Sequence, residues 1–324
     1  MLNIIVDTLG SDLGSAPVKE AIKNFLKLND DVKITAVGNQ DELKELEGLC
    51  EIVHAPDIVP MEAGPLEVMR MKNSSMFVAN RLMKERQADA VVSAGSTGGF
   101  LSCATLLLKT APNVKRAALV APFPTKIKGK KVVILDIGAS NENSAEELVQ
   151  FAKMGTLYSK IIYNVKEPKV YLLSNGTEAG KGSPSGKEAY KLLDGKEGFN
   201  GNIEARNALS GEADVIVCDG FTGNVFLKSS EGMAKMMAGM MKAAFKKNLW
   251  TMLGYLHVKK GINEMVETMD YKSTGGAMLL GINGVVVKAH GSSDAFAFQC
   301  ALNVAKNLAA NKINEKISEE LANE

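Results

Sequence analysis

Six short apolar, β-branched runs, each cut off by a glycine-bearing loop and followed by a stretch of helical character, constrain this chain more than any other feature. They run from Ile4 to Asp7, Ala90 to Ser93, Val132 to Asp136, Val170 to Leu173, Val215 to Asp219 and Val285 to Lys288. Strands alternating with helices build a mostly parallel sheet covered by helices, which is an α/β fold. Right-handed crossovers between parallel strands send all carboxyl ends to one edge, so the six loops are expected to meet there and carry the chemistry. The 324 residues could fill two domains at about 150 residues each. They are read instead as one large α/β catalytic unit over 1–315, with a helical, partly apolar protrusion around 235–268 and a C-terminal tail over 316–324.

Several functions fall away. Thirty-eight Lys and Arg against 37 Asp and Glu leave a net charge of +1, without the basic excess that a nucleic-acid partner demands. Cys50, Cys103, Cys218 and Cys300 are scattered, as are His54, His257 and His290, so neither a CxxC pair nor a metal-ligand spacing forms and no metal is expected. The first residues lack a cationic, apolar leader, and no run reaches 18 apolar residues, which reads as a reduced, cytoplasmic protein that does not span a membrane. The stretch from Gly176 to Gly182 imitates a nucleotide P-loop. It is one residue short between its glycines, however, and has glycine where Ser or Thr would hold magnesium. Gly95-Ser96-Thr97-Gly98-Gly99 does not fit the dinucleotide fingerprint either, and no cofactor is expected.

What remains is a set of loops rich in Gly, Ser, Thr and Asn just before helix starts, where unpaired N–H groups and the helix dipole attract an anion. The same residue types are ordinary helix caps, and each loop alone supports either reading. Lys181 sits among small residues after a strand, placed to meet a phosphate as a point charge or to stand in solvent. Asp7, Asp12, Asp136 and Asp219 lie at or near strand ends, where they could ligate magnesium or cap a loop. Further on, Met233, Met236, Met237, Met240 and Met241 share one helical face suited to core or dimer packing. Beyond them Leu249, Trp250, Leu253 and Leu256, flanked by Lys246, Lys247, Lys259 and Lys260, read as an interfacial membrane contact or as core. Ala121 to Thr125, with two prolines and the lysines of 126–131 behind it, is read as an exposed connection.

Together these loops resemble a known family. Ile5-Val6-Asp7, Ser93-Ala94-Gly95 with Thr97-Gly98, Asp136-Ile137-Gly138-Ala139, Lys181-Gly182, Cys218-Asp219-Gly220-Phe221-Thr222-Gly223-Asn224, Gly281 to Lys288 and His290-Gly291-Ser292-Ser293-Asp294-Ala295 are similar to motifs of the phosphate acyltransferases of bacterial glycerolipid synthesis. The resemblance implies a Rossmann-like α/β/α sandwich, similar to phosphate acetyltransferases and isocitrate dehydrogenase-type folds. It implies a homodimer in which inorganic phosphate takes the acyl group from an acyl-carrier-protein thioester. The enzyme would attach peripherally to the inner face of the cell membrane and hand long-chain acyl phosphate to the acyltransferase that acts on glycerol 3-phosphate. Lys181 and Asn224 are the expected catalytic residues. Ser96, Thr97, Gly98, Asp136, Gly138, Gly220, Thr222, Gly223, His290, Gly291, Ser292 and Ser293 are the expected substrate contacts.

The chemistry fits without a Cys–His pair, because phosphate is largely ionised near neutrality and a thiolate of pKa about 8.5 leaves readily. The protein need supply only an anion site aimed at the thioester carbon and donors for the developing oxyanion. The rival is a phosphotransacetylase-like enzyme acting on acyl-coenzyme A. Lys109, Lys115, Arg116 and the lysines of 126–131 are candidates for the basic patch that would instead dock an acidic carrier protein.

Overall fold

The computed structural model describes residues 1–64, 66–269 and 275–322, without the side chains of 263–269. Its strands are β1 (Leu2–Asp7), β2 (Val32–Gly38), β3 (Glu51–His54), β4 (Ala90–Ser93), β5 (Ala118–Pro124), β6 (Lys131–Leu135), β7 (Val170–Ser174), β8 (Phe199–Glu204), β9 (Val215–Val217), β10 (Ala277–Leu280) and β11 (Val285–Lys288). The helices are α1 (Ala16–Leu26), α2 (Gln40–Leu43), α3 (Ser75–Glu85), α4 (Thr97–Leu108), α5 (Ala145–Tyr163), α6 (Pro184–Leu193), α7 (Gly220–Phe245), α8 (Leu249–Met269), α9 (Ala295–Ala310) and α10 (Ile313–Ala322). All eleven strands join one sheet in the order β3-β2-β1-β4-β11-β10-β5-β6-β9-β7-β8.

Two-residue alternation divides the side chains between two cores. Ile4, Val6, Val285 and Val287 face the layer with α1, α5, α9 and α10. Ile5, Val91, Val286 and Leu279 face the layer with α3 and α4. Because both faces are covered, the central strands read as continuous apolar runs. Six of these strands are legible in the sequence, and the other five are not. In β5 the prolines obscured the signal, since proline is excluded from paired strand interiors. Pro122 and Pro124 are tolerated because β10 pairs with β5 only at Ala118–Val120, leaving the proline half with β6 as its one neighbour. Residues 121–124, expected as part of an exposed connection, are therefore strand, and the lysines of 126–130 turn a β5–β6 hairpin.

Strand direction departs from the expectation. β1, β2, β3, β4 and β11 are mutually parallel, but β10 runs against both β11 and β5, and β6 runs against β5. The group β6, β9, β7 and β8 is again parallel within itself. Following these reversals across the sheet, the loops after β1, β4 and β11 leave one edge and those after β6, β7 and β9 leave the other. The expected convergence of six loops on one edge is therefore corrected to two opposed sets of three. Antiparallel hairpins do not need the long crossover that keeps strands co-directional.

Helix α7 spans the gap. It starts beside the end of β9 and, at 26 residues, extends roughly 40 Å at 1.5 Å per residue. Its glycines are sites of close approach. A Cβ at Gly220 would fall 2.0 Å from the Ser140 carbonyl oxygen, and one at Gly223 would fall 1.8 Å from that of Asp136. The far part of α7 leaves Met233, Met236, Met237 and Met240 about half exposed, so this methionine face is not core of a single chain. α8 folds back on α7 through Phe245 and Tyr255, with ring centroids 5.1 Å apart. It holds Leu249, Trp250, Leu253 and Leu256 out from the surface, Trp250 being 82% exposed. The α7–α8 hairpin covers the stretch around 235–268, of which the side chains of 263–268 lie outside the described residues. Residues 316–324 were expected as a tail, but 316–322 complete α10, which buries Ile313, Ile317 and Leu321 at i, i+4, i+8. Among the described residues no helix is long and apolar enough to cross a membrane.

Candidate active site

A cavity of about 480 Å³ opens where β10 stops pairing with β5. Its floor is the apolar face of β5, with Leu119, Ala121 and Phe123, and its wall is α7, with Asn224, Leu227, Lys228 and Glu231. The loops of one edge close one end through Asp12, Thr97, His290, Gly291 and Ser293, while Gly138 and Asn224 bring in the opposed edge. The lining is mainly apolar with a few polar groups gathered together, the usual make-up of a small-molecule site.

The polar groups are held from behind. Asp136, fully buried, accepts hydrogen bonds from the backbone N–H groups of Leu119, Gly138, Ala139 and Ser140 at 2.9–3.0 Å and from the Ser140 hydroxyl at 2.8 Å. Burial raises its pKa, and these donors work against the rise. Asp136 therefore shapes the loop that places Gly138. Gly138 has φ +130°, and a Cβ there would stand 3.4–3.5 Å from the Asn224 side chain, so the two expected residues lie against each other. Asp219 caps α7, accepting from the Thr222 N–H at 2.8 Å and from its hydroxyl at 2.8 Å. The Gly220 N–H donates to Asn143 Oδ1 at 3.2 Å. At this helix start capping prevails over anion binding, because the first-turn donors are taken by the protein.

Across the cavity, Ser96 caps α4, accepting from the Gly99 N–H at 3.4 Å and donating to the Met61 carbonyl at 3.2 Å. Thr97 opens the helix at the cavity wall, where first-turn N–H groups lack intrahelical acceptors. The Ser292 N–H donates to His290 Nδ1 at 3.2 Å, which assigns the ring proton to Nε2 in the neutral form. Burial, followed by the charge of Lys288, lowers the His290 pKa below the usual 6.5, so the ring is predominantly neutral at pH 7. The Ser293 N–H donates to the His290 carbonyl at 3.0 Å, tightening the turn before α9.

Of the expected site residues, the cavity lining includes Asn224, Thr97, Gly138, His290, Gly291 and Ser293. Ser96, Asp136, Gly220, Thr222, Gly223 and Ser292 support that lining from behind or beside it, and Gly98 follows Thr97 in α4. Lys181 does not join the lining. It is exposed in the loop after β7, with its stem over Gly176, where a Cβ would meet Lys181 Cγ at 2.7 Å. Leu249, Trp250, Leu253 and Leu256 stand apart on the hairpin.

Lys288, absent from the residues expected at the site, lines the cavity although only 6% of it is exposed. The signal was present: a lysine closing a Val-Val-Val run in a central strand is costly unless it has a task. Burial lowers its pKa to about 8. Buried Asp7, its pKa raised by burial, accepts from the Ser93 hydroxyl at 2.6 Å and from the Leu9 N–H at 3.3 Å.

A family model described as fatty acid synthesis protein matches residues 2–316. The chain is 40% identical over 318 residues to a phosphate acyltransferase of Fervidobacterium nodosum, with 94% of each chain covered. It is 42% identical over 313 residues to one of an Exiguobacterium species, again with 94% of each covered. Among solved structures, a phosphotransacetylase from Streptococcus pyogenes aligns at TM-score 0.61 and 16% identity, over 96% of this chain and 94% of that one. A branched-chain phosphotransacylase from Enterococcus faecalis aligns at TM-score 0.60 and 16% identity, over 95% and 99%. At such identities these two comparisons establish the fold, which agrees with the α/β expectation.

Proposed function

The chain belongs to the phosphate acyltransferase family, and from that premise we propose that it transfers the long acyl group of an acyl-carrier-protein thioester to inorganic phosphate. The observation that carries this reading is the polarity of the cavity: an apolar floor along β5 suits an acyl chain, and the polar groups beside it suit an anion. A phosphate oxygen attacks the thioester carbon and the carbonyl electrons move to its oxygen. Collapse of the tetrahedral intermediate then expels the carrier's thiolate, which takes its proton from water. Phosphate needs no base to attack, so positioning and charge stabilisation do the work. The Thr97 end of α4 and the Nε2–H of neutral His290 face the phosphate. The Asn224 amide, backed by Gly138, donates to the developing oxyanion.

The same reading covers the surroundings. Lys126 and Lys128 are exposed on the β5–β6 turn next to Pro124 of the cavity, beside an Ile127 that is 52% exposed. This cationic, partly apolar tip suits an acidic carrier protein. The α8 side chains seat in the inner leaflet, their lysines meeting anionic headgroups, so that acyl phosphate is released near the enzyme that acylates glycerol 3-phosphate. The methionine face of α7 supports a homodimer.

Incubating the protein with palmitoyl-carrier protein and labelled phosphate, with and without a chelator, tests the reading. Labelled acyl phosphate in both samples is expected. Product only from acyl-coenzyme A, or only with added magnesium, would overturn it.

A further inference from the structure

We propose that Lys288 is the cation that binds the reacting phosphate, supported from behind by a row of side chains running Asp7, Ser93, Lys288 across three neighbouring strands. The proposal rests on the acyl-transfer reading above and adds to it the residue that carries the charge. Asp7 pairs in register with Ser93, and Ser93 with Lys288, so the three stand side by side on β1, β4 and β11. They lie on the sheet face that bears Ile5, Val91 and Val286, the face that the cavity occupies. The next residue of the row is Ala277 of β10, also in the cavity lining. Its small side chain leaves room above the floor beside the lysine. One side of Lys288 therefore faces a buried carboxylate through a serine, and the other faces the site.

A buried ammonium has to be compensated, and this one is compensated incompletely. The carboxylate oxygens of Asp7 are engaged by the Ser93 hydroxyl and the Leu9 N–H. Among the described residues the Lys288 ammonium makes one hydrogen bond, to the Ala289 carbonyl, which leaves two of its three donors for a ligand. The charged and titratable groups around it are Asp7, Asp12, Lys228 and His290, with Glu231 on the same wall. Lys228 is exposed and bonded to Glu231 at 3.0 Å, so its charge is screened by water and by a partner. Lys288 is the cation held out of water, where attraction to a phosphate dianion is strongest. It is also adjacent to the His290 turn and across from Thr97, which places three kinds of donor around one anion.

The test compares wild type with Lys288→Met, which keeps the stem and removes the charge, and with Asp7→Asn/Lys288→Met, which also removes the buried carboxylate left behind. Steady-state assays vary inorganic phosphate at saturating palmitoyl-carrier protein, and calorimetric titration with inorganic phosphate alone reads binding without turnover. Both variants are expected to lose about a hundredfold in kcat/KM for phosphate, the usual scale for one electrostatic contact. Both should also lose the phosphate titration signal while KM for the carrier thioester stays unchanged. A double variant that titrates phosphate like wild type would overturn the proposal and leave Lys288 as a partner of Asp7 only. Absence of acyl phosphate from wild type would instead overturn the reading of the reaction, while the titration would still decide Lys288.

Discussion

Replacing Gly223 by alanine tests how α7 is seated on the end of the sheet. The new Cβ would stand 1.8 Å from the Asp136 carbonyl oxygen, 2.8 Å from its carbon and 2.9 Å from Cys218 Sγ. Ordinary contact begins near 3.4 Å, so α7 must back away by roughly 1.5 Å or the β6 loop must yield. That loop is fixed by the five donors on Asp136, and the helix start by the Asp219 cap. Overpacking of this kind costs about 1–3 kcal/mol, and a clash with backbone belongs at the upper end. Alanine returns about 1 kcal/mol of helix propensity. The net expectation is a loss of about 2 kcal/mol. Gly239→Ala in the same helix meets nothing within 4 Å and should gain about 1 kcal/mol, so one substitution changes sign within one helix. Urea unfolding followed by circular dichroism reads both variants. Because Asn224 and Lys228 travel with the displaced turn, Gly223→Ala should also lose about a hundredfold in turnover, the usual cost of a displacement near 1 Å. Equal stability of the two alanine variants would refute the seating described here.

Further outcomes follow from other parts of the molecule. Leu253→Glu/Leu256→Glu alters side chains that are 52% and 64% exposed. It should abolish co-sedimentation with anionic liposomes at unchanged unfolding midpoint and soluble activity, whereas an unfolded variant would make these residues core. Lys126→Glu/Lys128→Glu should raise KM for the acyl-carrier protein at least tenfold, with KM for phosphate unmoved; equal carrier KM would send the docking surface elsewhere. Light scattering at micromolar concentration should give twice the 34.6 kDa of one chain, and Met236→Glu/Met240→Glu should reduce it to one. Lys288, whose pKa falls from 10.5 to about 8 on folding, makes its own contribution to the pH dependence of stability. Between those values the unfolded chain binds the extra proton, so the contribution of Lys288 to stability rises with pH across that window. In phosphate-free buffer the stability of wild type minus that of Lys288→Met should rise by about 3 kcal/mol from pH 7.5 to 10.5, and a constant difference would contradict the lowered pKa.

Much of the frame was legible because burial leaves a pattern. Val-Val-Val before Lys288 and Ile-Ile-Val before Asp7 could only be strands covered on both faces, and the glycine loops behind them marked the helix starts. Direction leaves no such pattern: Ala277–Leu280 and Ala118–Pro124 satisfy the same apolar requirement whichever way they run. The three antiparallel pairings that separate the loops into opposed sets were therefore hidden, and the loop of Lys181 leaves the edge opposite to that of His290. Asn224 lines the cavity because α7 crosses its wall and carries its first turns between the two edges. The glycines of Cys218-Asp219-Gly220-Phe221-Thr222-Gly223-Asn224 read as an anion loop, yet their bare Cα atoms serve the approach of α7 to Ser140 and Asp136. A charge inside a strand is costly enough to demand a reason, and a cavity that must draw a dianion out of water supplies one. That reason became visible only when the register put Asp7, Ser93 and Lys288 in one row.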